Sequence, residues 1–386
     1  MINFTYHNPT KIIFGKGVLA GLGAECAGLG KKALLVYGRN SLKANGVFDT
    51  ITAQLSSAGI DVVEFGGAQP NPLLSHAEAG VRLAREKKAD FVLAAGGGSV
   101  MDTAKAIAAG AKTDTPLWDF ILGKSRIAGA LPLVTIVTMP ATASEMNGIF
   151  VLTNDSDGNI KNGGGSAFTC PRVSFLDPSL TFGVSVKAAA FACSDIMSHL
   201  LEGYLTTTED FCPVQDGYAE GVIKAVMEAM GRIMANPYDY DARASFMWAA
   251  TLAWNGCGQA GLGGAVWPCH MLEYPLSGLY GLAHGAGLSV ILPGFLRFST
   301  HTRHARILKF GVNILGLEPE ELTVEHVSEA LVAFYRRIGS PSNFREAGIR
   351  DPQPELMADQ VVRIMDMRGV KGYSREDILR IYGFCA

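Results

Sequence analysis

Asp195 and His199 stand four apart in SDIMSHLLEGYL, and His270 and His284 lie in CHMLEYPLSGLYGLAHGAG. The first stretch has helical apolar spacing, and residues at i and i+4 share one helix face, so both side chains can point at one ion. In the second, a histidine on an apolar segment precedes another in a Gly-rich turn. One carboxylate and three imidazoles suit a divalent first-row metal such as Fe(II), Zn(II), Ni(II) or Co(II). The chain has only eight histidines, and three of them stand in these otherwise apolar segments. The set is a candidate metal site whose task depends on the rest of the chain.

The elements around it read in two halves. Short β-type runs at 11–14, 33–37, 62–65, 91–95, 133–138 and 173–176 alternate with helical patterns such as 48–58, 74–87 and 100–109. That alternation implies a mainly parallel sheet covered by helices on both faces, with ligands at the carboxyl ends of its strands. After Asp177-Pro178 the strand signals almost vanish. Helical patterns follow at 186–206, 215–234, 238–256, 305–315, 324–338 and 354–367. A boundary near Gly183-Val184 separates an α/β first domain from a helical second domain that carries the four candidate ligands. A ligand set on one and a sheet edge on the other suggest an active site in the cleft between them.

Composition narrows the function classes. Hydrophobic residues make up 48% and charged residues 18%, which fits a globular protein with a sizeable core. The formal charge of −3 and the lack of any basic run give no reason to expect a nucleic-acid or membrane-surface partner. No apolar stretch is long enough to span a bilayer. The N-terminus shows no export signal, and the seven cysteines form no CxxC pair. They are expected to be reduced thiols in a cytoplasmic protein. Cys269, beside a candidate ligand, reads as a buried bystander.

Three segments of the first half could bind phosphate. FVLAAGGGSVMDTAKAIAAG reads as a strand, a glycine turn and a helix. Gly96, Gly97 and Gly98 let the backbone approach an anion, and the helix starting near Ser99 offers free N–H groups. The same pattern can also be a tight turn with no ligand. Gly15-Lys16-Gly17 mimics a dinucleotide fingerprint, but no acid stands about 20 residues on to hold a ribose. Arg39, Ser41 and Lys43 stand there instead, where a ribose 2′-phosphate would find cations. A solvated basic turn fits the local sequence equally well. The third segment, VTMPATASEMN, offers the hydroxyls of Thr138, Thr142 and Ser144, with Lys161 further on as an added charge.

Together these segments resemble the iron-dependent (group III) alcohol dehydrogenase family over nearly the whole chain. The resemblance runs through NPTKIIFGKG, PNP at 70–72, GGGSVMDTAKA, MPATASEMN, DPSLT, the Asp195/His199 helix and HMLEYPLSGLYGLAHG. YGRNSLKANGV and ATASEMN look most like its NADPH-dependent aldehyde reductase and butanol dehydrogenase branch. The resemblance implies a dehydroquinate synthase-like fold, with a Rossmann-like dinucleotide-binding domain over 1–184 and an all-α metal-binding domain over 185–386. Asp195, His199, His270 and His284 would hold one Fe2+ or Zn2+. Gly96, Gly97, Gly98 and Ser99, helped by Thr138 and Thr142, would hold the pyrophosphate, and Ser144 would join the cofactor site. Asp102 would lie near the nicotinamide, and Lys161 would contact the cofactor. Arg39 stands where NAD-preferring members carry an aspartate, which favours NADP(H) over NAD(H). Family members are often dimers, so a homodimer is expected.

One position departs from the pattern. Many members have a histidine four residues after the third ligand, and here it is Tyr274. A phenol can relay a proton, but its ordinary pKa of about 10 lies far above that of imidazole. The resulting expectation is a metal-dependent, reversible reduction of aldehydes to primary alcohols, with His270, Asp102 and Tyr274 at the reacting centre. Ile149, Phe150, Val151, Trp254, Leu262 and Trp267 suggest an uncharged substrate, though each also fits core packing. The alternatives are an enzyme resembling glycerol dehydrogenase or dehydroquinate synthase, acting on a polyol or sugar-derived substrate, and a non-catalytic metal-binding relative.

Overall fold

The computed structural model describes residues 1–386, which divide into two compact units. His7–Val184 form one; Ser185–Ala386, joined by Met1–Tyr6, form the other. The first six residues thus group with the helical unit rather than with the strands that follow them. Two interactions account for this: the Met1 amine pairs with Glu209 at 2.5 Å, and Ile2 N donates to Gly261 O at 3.1 Å.

In the α/β unit the strands are β1 (Lys11–Phe14), β2 (Lys32–Tyr37), β3 (Asp61–Phe65), β4 (Phe91–Gly97), β5 (Leu133–Met139), β6 (Ile149–Asn154), β7 (Ile160–Gly165) and β8 (Val173–Leu176). Its helices are α1 (Leu22–Cys26), α2 (Ser41–Ala44), α3 (Val47–Ser57), α4 (Leu74–Glu86), α5 (Gly98–Gly110) and α6 (Leu117–Ile121). Six strands form one parallel sheet in the order β1-β8-β5-β4-β2-β3. The central strands are apolar on both faces, because helices cover both. Strand β2 pairs with β4, and β4 with β5. The turns after these three strands therefore come out side by side at the carboxyl end of the sheet.

The antiparallel hairpin of β6 and β7 was not anticipated. Its second strand, IKNGGG, ends in three glycines that carry no alternating pattern. A Cβ at Gly165 would lie 2.2 Å from Gly148 O, so the close pairing there requires glycine.

The helical unit contains α7 (Val186–Thr206), α8 (Pro213–Ala235), α9 (Tyr240–Ala253), α10 (Pro268–Tyr280), α11 (His284–Phe298), α12 (His304–Asn313), α13 (Val324–Ile338), α14 (Pro354–Arg368) and α15 (Arg375–Gly383). From Ala189 onward almost every residue of α7 is buried, whichever way it faces, which marks a central helix. Ser185 caps it, accepting from Ala188 N at 3.2 Å. Three helices of this unit have no counterpart among the helical patterns of the sequence: α10, α11 and the short α15. The first two carry internal prolines, Pro275 and Pro293, the usual signal of a helix end. His284 is accordingly the first residue of α11 rather than part of a turn. No helix is long and apolar enough to cross a membrane.

Candidate active site

The four candidate ligands come together in the helical unit. Nε2 of His199, His270 and His284 lie 3.6, 3.9 and 3.8 Å from Asp195 Oδ1. These gaps are too long for hydrogen bonds. A tetrahedral ion with bonds of about 2.1 Å separates its ligand atoms by about 3.4 Å, so the spacing leaves room for one in the middle. The ligand atoms of Asp195, His199 and His270 all lie within 4.8 Å of one another. Asp195 and His199 are buried, and Nε2 of His270 is a buried nitrogen with no hydrogen-bond partner. A buried polar atom without a partner is costly, and an ion would supply the partner. The donor set therefore fits a divalent metal.

Two carboxylates outside the four candidate ligands stand behind the imidazoles. Glu202 Oε1 lies 2.5 Å from His270 Nδ1, and Glu273 bonds to His284 Nδ1. Both glutamates are fully buried. Such a contact fixes each ring with its Nδ1 proton outward and its Nε2 lone pair inward, the form a metal ligand needs. Glu202 also accepts from Cys269 N at 2.5 Å and His270 N at 3.3 Å, tying the start of α10 to α7. A signal was available: Glu202 continues the Asp195, His199 stripe at i+7, and Glu273 is one turn past His270.

The glycines of HGAG position the last ligand. A Cβ at Gly285 would lie 1.9 Å from Phe191 O, and one at Gly287 would lie 2.6 Å from Glu273 Oε1. Only glycine allows α11 to begin this close to α7 and α10. Charge follows the same plan. Burial and the neighbouring imidazoles of His270 and His284 hold His199 well below the usual histidine range. Burial also opposes the charged form of His270, but the Glu202 carboxylate outweighs it and the pKa rises. The thiol of Cys269 is pushed far up by burial and by Glu202, so it stays protonated and inert.

Aromatic residues line the cluster. Trp254 lies 5.1 Å from the His199 ring, and Trp267 meets Trp254 edge-on at 4.7 Å. Trp267 Nε1 also donates to His199 O at 3.0 Å, and Leu262 packs with it over Gly203. Tyr274 is buried with its ring 6.1 Å from that of His284. Arg368 lies over the Tyr274 ring at 5.6 Å, and its Nη2 donates to the phenol oxygen at 3.4 Å.

In the α/β unit the glycine turn joins β4 to α5. None of Gly96, Gly97 or Gly98 has a positive φ. Gly96 and Gly98 are required by proximity: a Cβ at Gly96 would meet Val100 at 2.5 Å, and one at Gly98 would meet Thr142 at 2.6 Å. Thr138 and Thr142 are half-buried, Ser99 likewise, and Ser144 is buried. Lys161 is buried on β7 and donates to Asn71 Oδ1 at 3.0 Å. Asp102 accepts from Ser144 Oγ at 2.7 Å and Val151 N at 3.0 Å. Burial raises its pKa against the pull of Lys105. Its carboxylate thus anchors the loop between β5 and β6. Ile149 is exposed, whereas Phe150 is core packing.

At the end of β2, Arg39 and Ser41 are exposed. Lys43 is not a free cation. It pairs with Glu64 at 2.7 Å, and Tyr37 donates to the same carboxylate at 2.8 Å. The expectation of a turn without a carboxylate is corrected here, because β3 brings in Glu64 from outside the local sequence.

A parallel sheet with a glycine turn in one unit, and a carboxylate with three imidazoles gathered in the other, are the parts expected of a nicotinamide-dependent dehydrogenase with a metal site. Family models settle which: residues 9–178 match the iron-containing alcohol dehydrogenases and 189–384 the C-terminal part of the same family. The chain belongs to the iron-containing alcohol dehydrogenase family and is an alcohol dehydrogenase. It is 38% identical over 99% of both chains to a probable NADH-dependent butanol dehydrogenase of Bacillus subtilis. It is also 35% identical, over 90% of both chains, to the NADPH-dependent aldehyde reductase YqhD of Escherichia coli. The crystal structure of NADH-dependent butanol dehydrogenase A from Thermotoga maritima superposes with a TM-score of 0.95 at 37% identity, covering 100% of this chain and 98% of the other.

Proposed function

We propose that this enzyme reduces uncharged aldehydes to primary alcohols, reversibly, with one divalent ion, Fe2+ or Zn2+, held by Asp195, His199, His270 and His284. The observation that carries the reading is the convergence of three imidazole nitrogens on Asp195, backed by two buried glutamates. When bound, the ion would supply a Lewis acid for the substrate oxygen. Glu202 and Glu273 keep His270 and His284 turned toward it. Tyr274 is the proposed proton relay. Arg368 donates to its oxygen at 3.4 Å, which orients the phenol. Trp254 and Trp267 provide an apolar wall suited to an uncharged substrate.

When bound, a nicotinamide nucleotide would supply the hydride. Residues 1–184 are its proposed domain, with 185–386 the metal-binding one. Gly96, Gly97, Gly98 and Ser99, with Thr138, Thr142, Ser144 and Lys161, are its proposed cradle, and Asp102 is proposed to lie near the nicotinamide. NADP(H) is the proposed preference over NAD(H). With Lys43 engaged by Glu64, that preference rests on Arg39, flanked by Ser41. The enzyme is proposed to be a cytoplasmic homodimer. Seven free cysteines fit a reducing compartment, and β1 is an edge strand open to pairing.

The test is NAD(P)H oxidation by metal-loaded protein across a panel of aliphatic and aromatic aldehydes, with elemental analysis to identify the ion. No oxidation of either nucleotide would overturn the proposal. Arg39→Asp should lower the NADPH-to-NADH ratio of kcat/KM by about tenfold or more, the worth of one charge-assisted contact. An unchanged ratio would remove Arg39 from the nucleotide site.

A further inference from the structure

Lys105 has no part in the function described so far, yet it is among the largest fully buried side chains of the molecule. It lies on α5, one turn beyond Asp102. Its Nζ donates to Ile149 O at 2.8 Å and to Asn147 Oδ1 at 3.1 Å. Asn147 in turn donates to Ala143 O at 2.8 Å and accepts from Ile149 N at 2.9 Å. Asp102 takes the two flanks of the same loop at Ser144 and Val151. Two charged side chains of one helix therefore hold the whole stretch from Ala143 to Val151.

That loop needs holding. Ala143 is buried with φ +51°, a left-handed conformation that a residue with a Cβ keeps only when its surroundings impose it. Next to it, Thr142 sits on Gly98 with no room for a methyl group between them. A shift of the loop would change the wall of the glycine turn. Packing alone does not explain the choice of residue, since a methionine of similar length would fill the space without burying an ammonium.

We propose that Lys105 is a positioning residue for the nucleotide site, acting through Asn147 and the Ile149 carbonyl to keep Thr142 against the glycine turn. The proposal rests on the reading of that turn as the pyrophosphate cradle. Burial lowers the Lys105 pKa to about 8 against the pull of Asp102, Cys170 and Glu145, which shows that the ammonium stays there at a cost.

The experiment measures NADPH and NADH dissociation constants by titration of the metal-loaded enzyme, with KM for aldehyde and metal content alongside. Lys105→Met should raise the nucleotide dissociation constant and nucleotide KM about tenfold. Aldehyde KM and metal content should stay within about twofold of wild type, a split that general loosening would not produce. Asn147→Ala, at a less buried position, should show the same split. The double variant should be no weaker than the worse single one, because both changes cut one path. Wild-type affinity in a folded Lys105→Met protein, additive effects in the double variant, or an unaltered dissociation constant in Asn147→Ala would each overturn the proposal. Failure of the wild type to bind either nucleotide would instead overturn the function proposed above.

Discussion

The ligand cluster of the helical unit and the glycine turn of the α/β unit were both legible as chemistry, but they differ in what demands their residues. At the cluster, nothing in ordinary packing calls for a carboxylate and three imidazoles in the core of an apolar bundle. Their burial is costly, and a bound ion would give the inward-facing Nε2 of His270 its partner. At the turn, two of the glycines already have a neighbour that excludes a side chain: Val100 at Gly96 and Thr142 at Gly98. Those glycines would be needed even if no phosphate ever bound. A buried polar residue is therefore a sharper functional signal than a glycine whose Cβ space is filled by its own protein.

The comparison can be broken at its stronger side first. Asp195→Ala should abolish metal binding and turnover together, leaving the helical unit folded; retention of stoichiometric metal by elemental analysis would mean that the ion sits elsewhere. Glu202→Gln is the finer probe. It keeps the shape but weakens the hold on His270 Nδ1, and should cost about 10–100-fold in metal affinity. Chelator competition would measure this, and an unchanged affinity would reduce Glu202 to a tie between α7 and α10.

On the weaker side, Gly98→Ala should cost about 1–3 kcal/mol of stability through the contact with Thr142. Adding Thr142→Ala should recover most of that in thermal or urea unfolding. The informative measurement is nucleotide affinity in the double variant. If it stays weak after stability returns, Gly98 has a binding role beyond packing. If it returns with stability, packing was the whole reason for the glycine.

Much of the architecture was readable because its physics is local. Six strands of the parallel sheet and the long helix 186–206 follow from apolar runs and periodicity, and Ser185 caps that helix as its residue type suggests. Helices α10 and α11 escaped because Pro275 and Pro293 look like terminators, and packing overrides them in the assembled bundle. The glycine-ended strand β7 escaped because it carries no side-chain pattern.

The site divides along the same line. The sequence alone determined the identity and spacing of Asp195, His199, His270 and His284, since donor type is a property of the residue and the i, i+4 pair needs only a helix. It also determined the glycine turn and the presence of Tyr274 four residues after His270. Tertiary structure decided everything that depends on partners distant along the chain. Glu202 and Glu273 became supports for His270 and His284, and Glu64 came across from β3 to claim Lys43. Asp102 and Lys105 turned from helix residues into the anchors of a strained loop. Such roles arise from distance and burial, which fix how much a charge costs and which partner relieves it, and neither exists until the chain has folded.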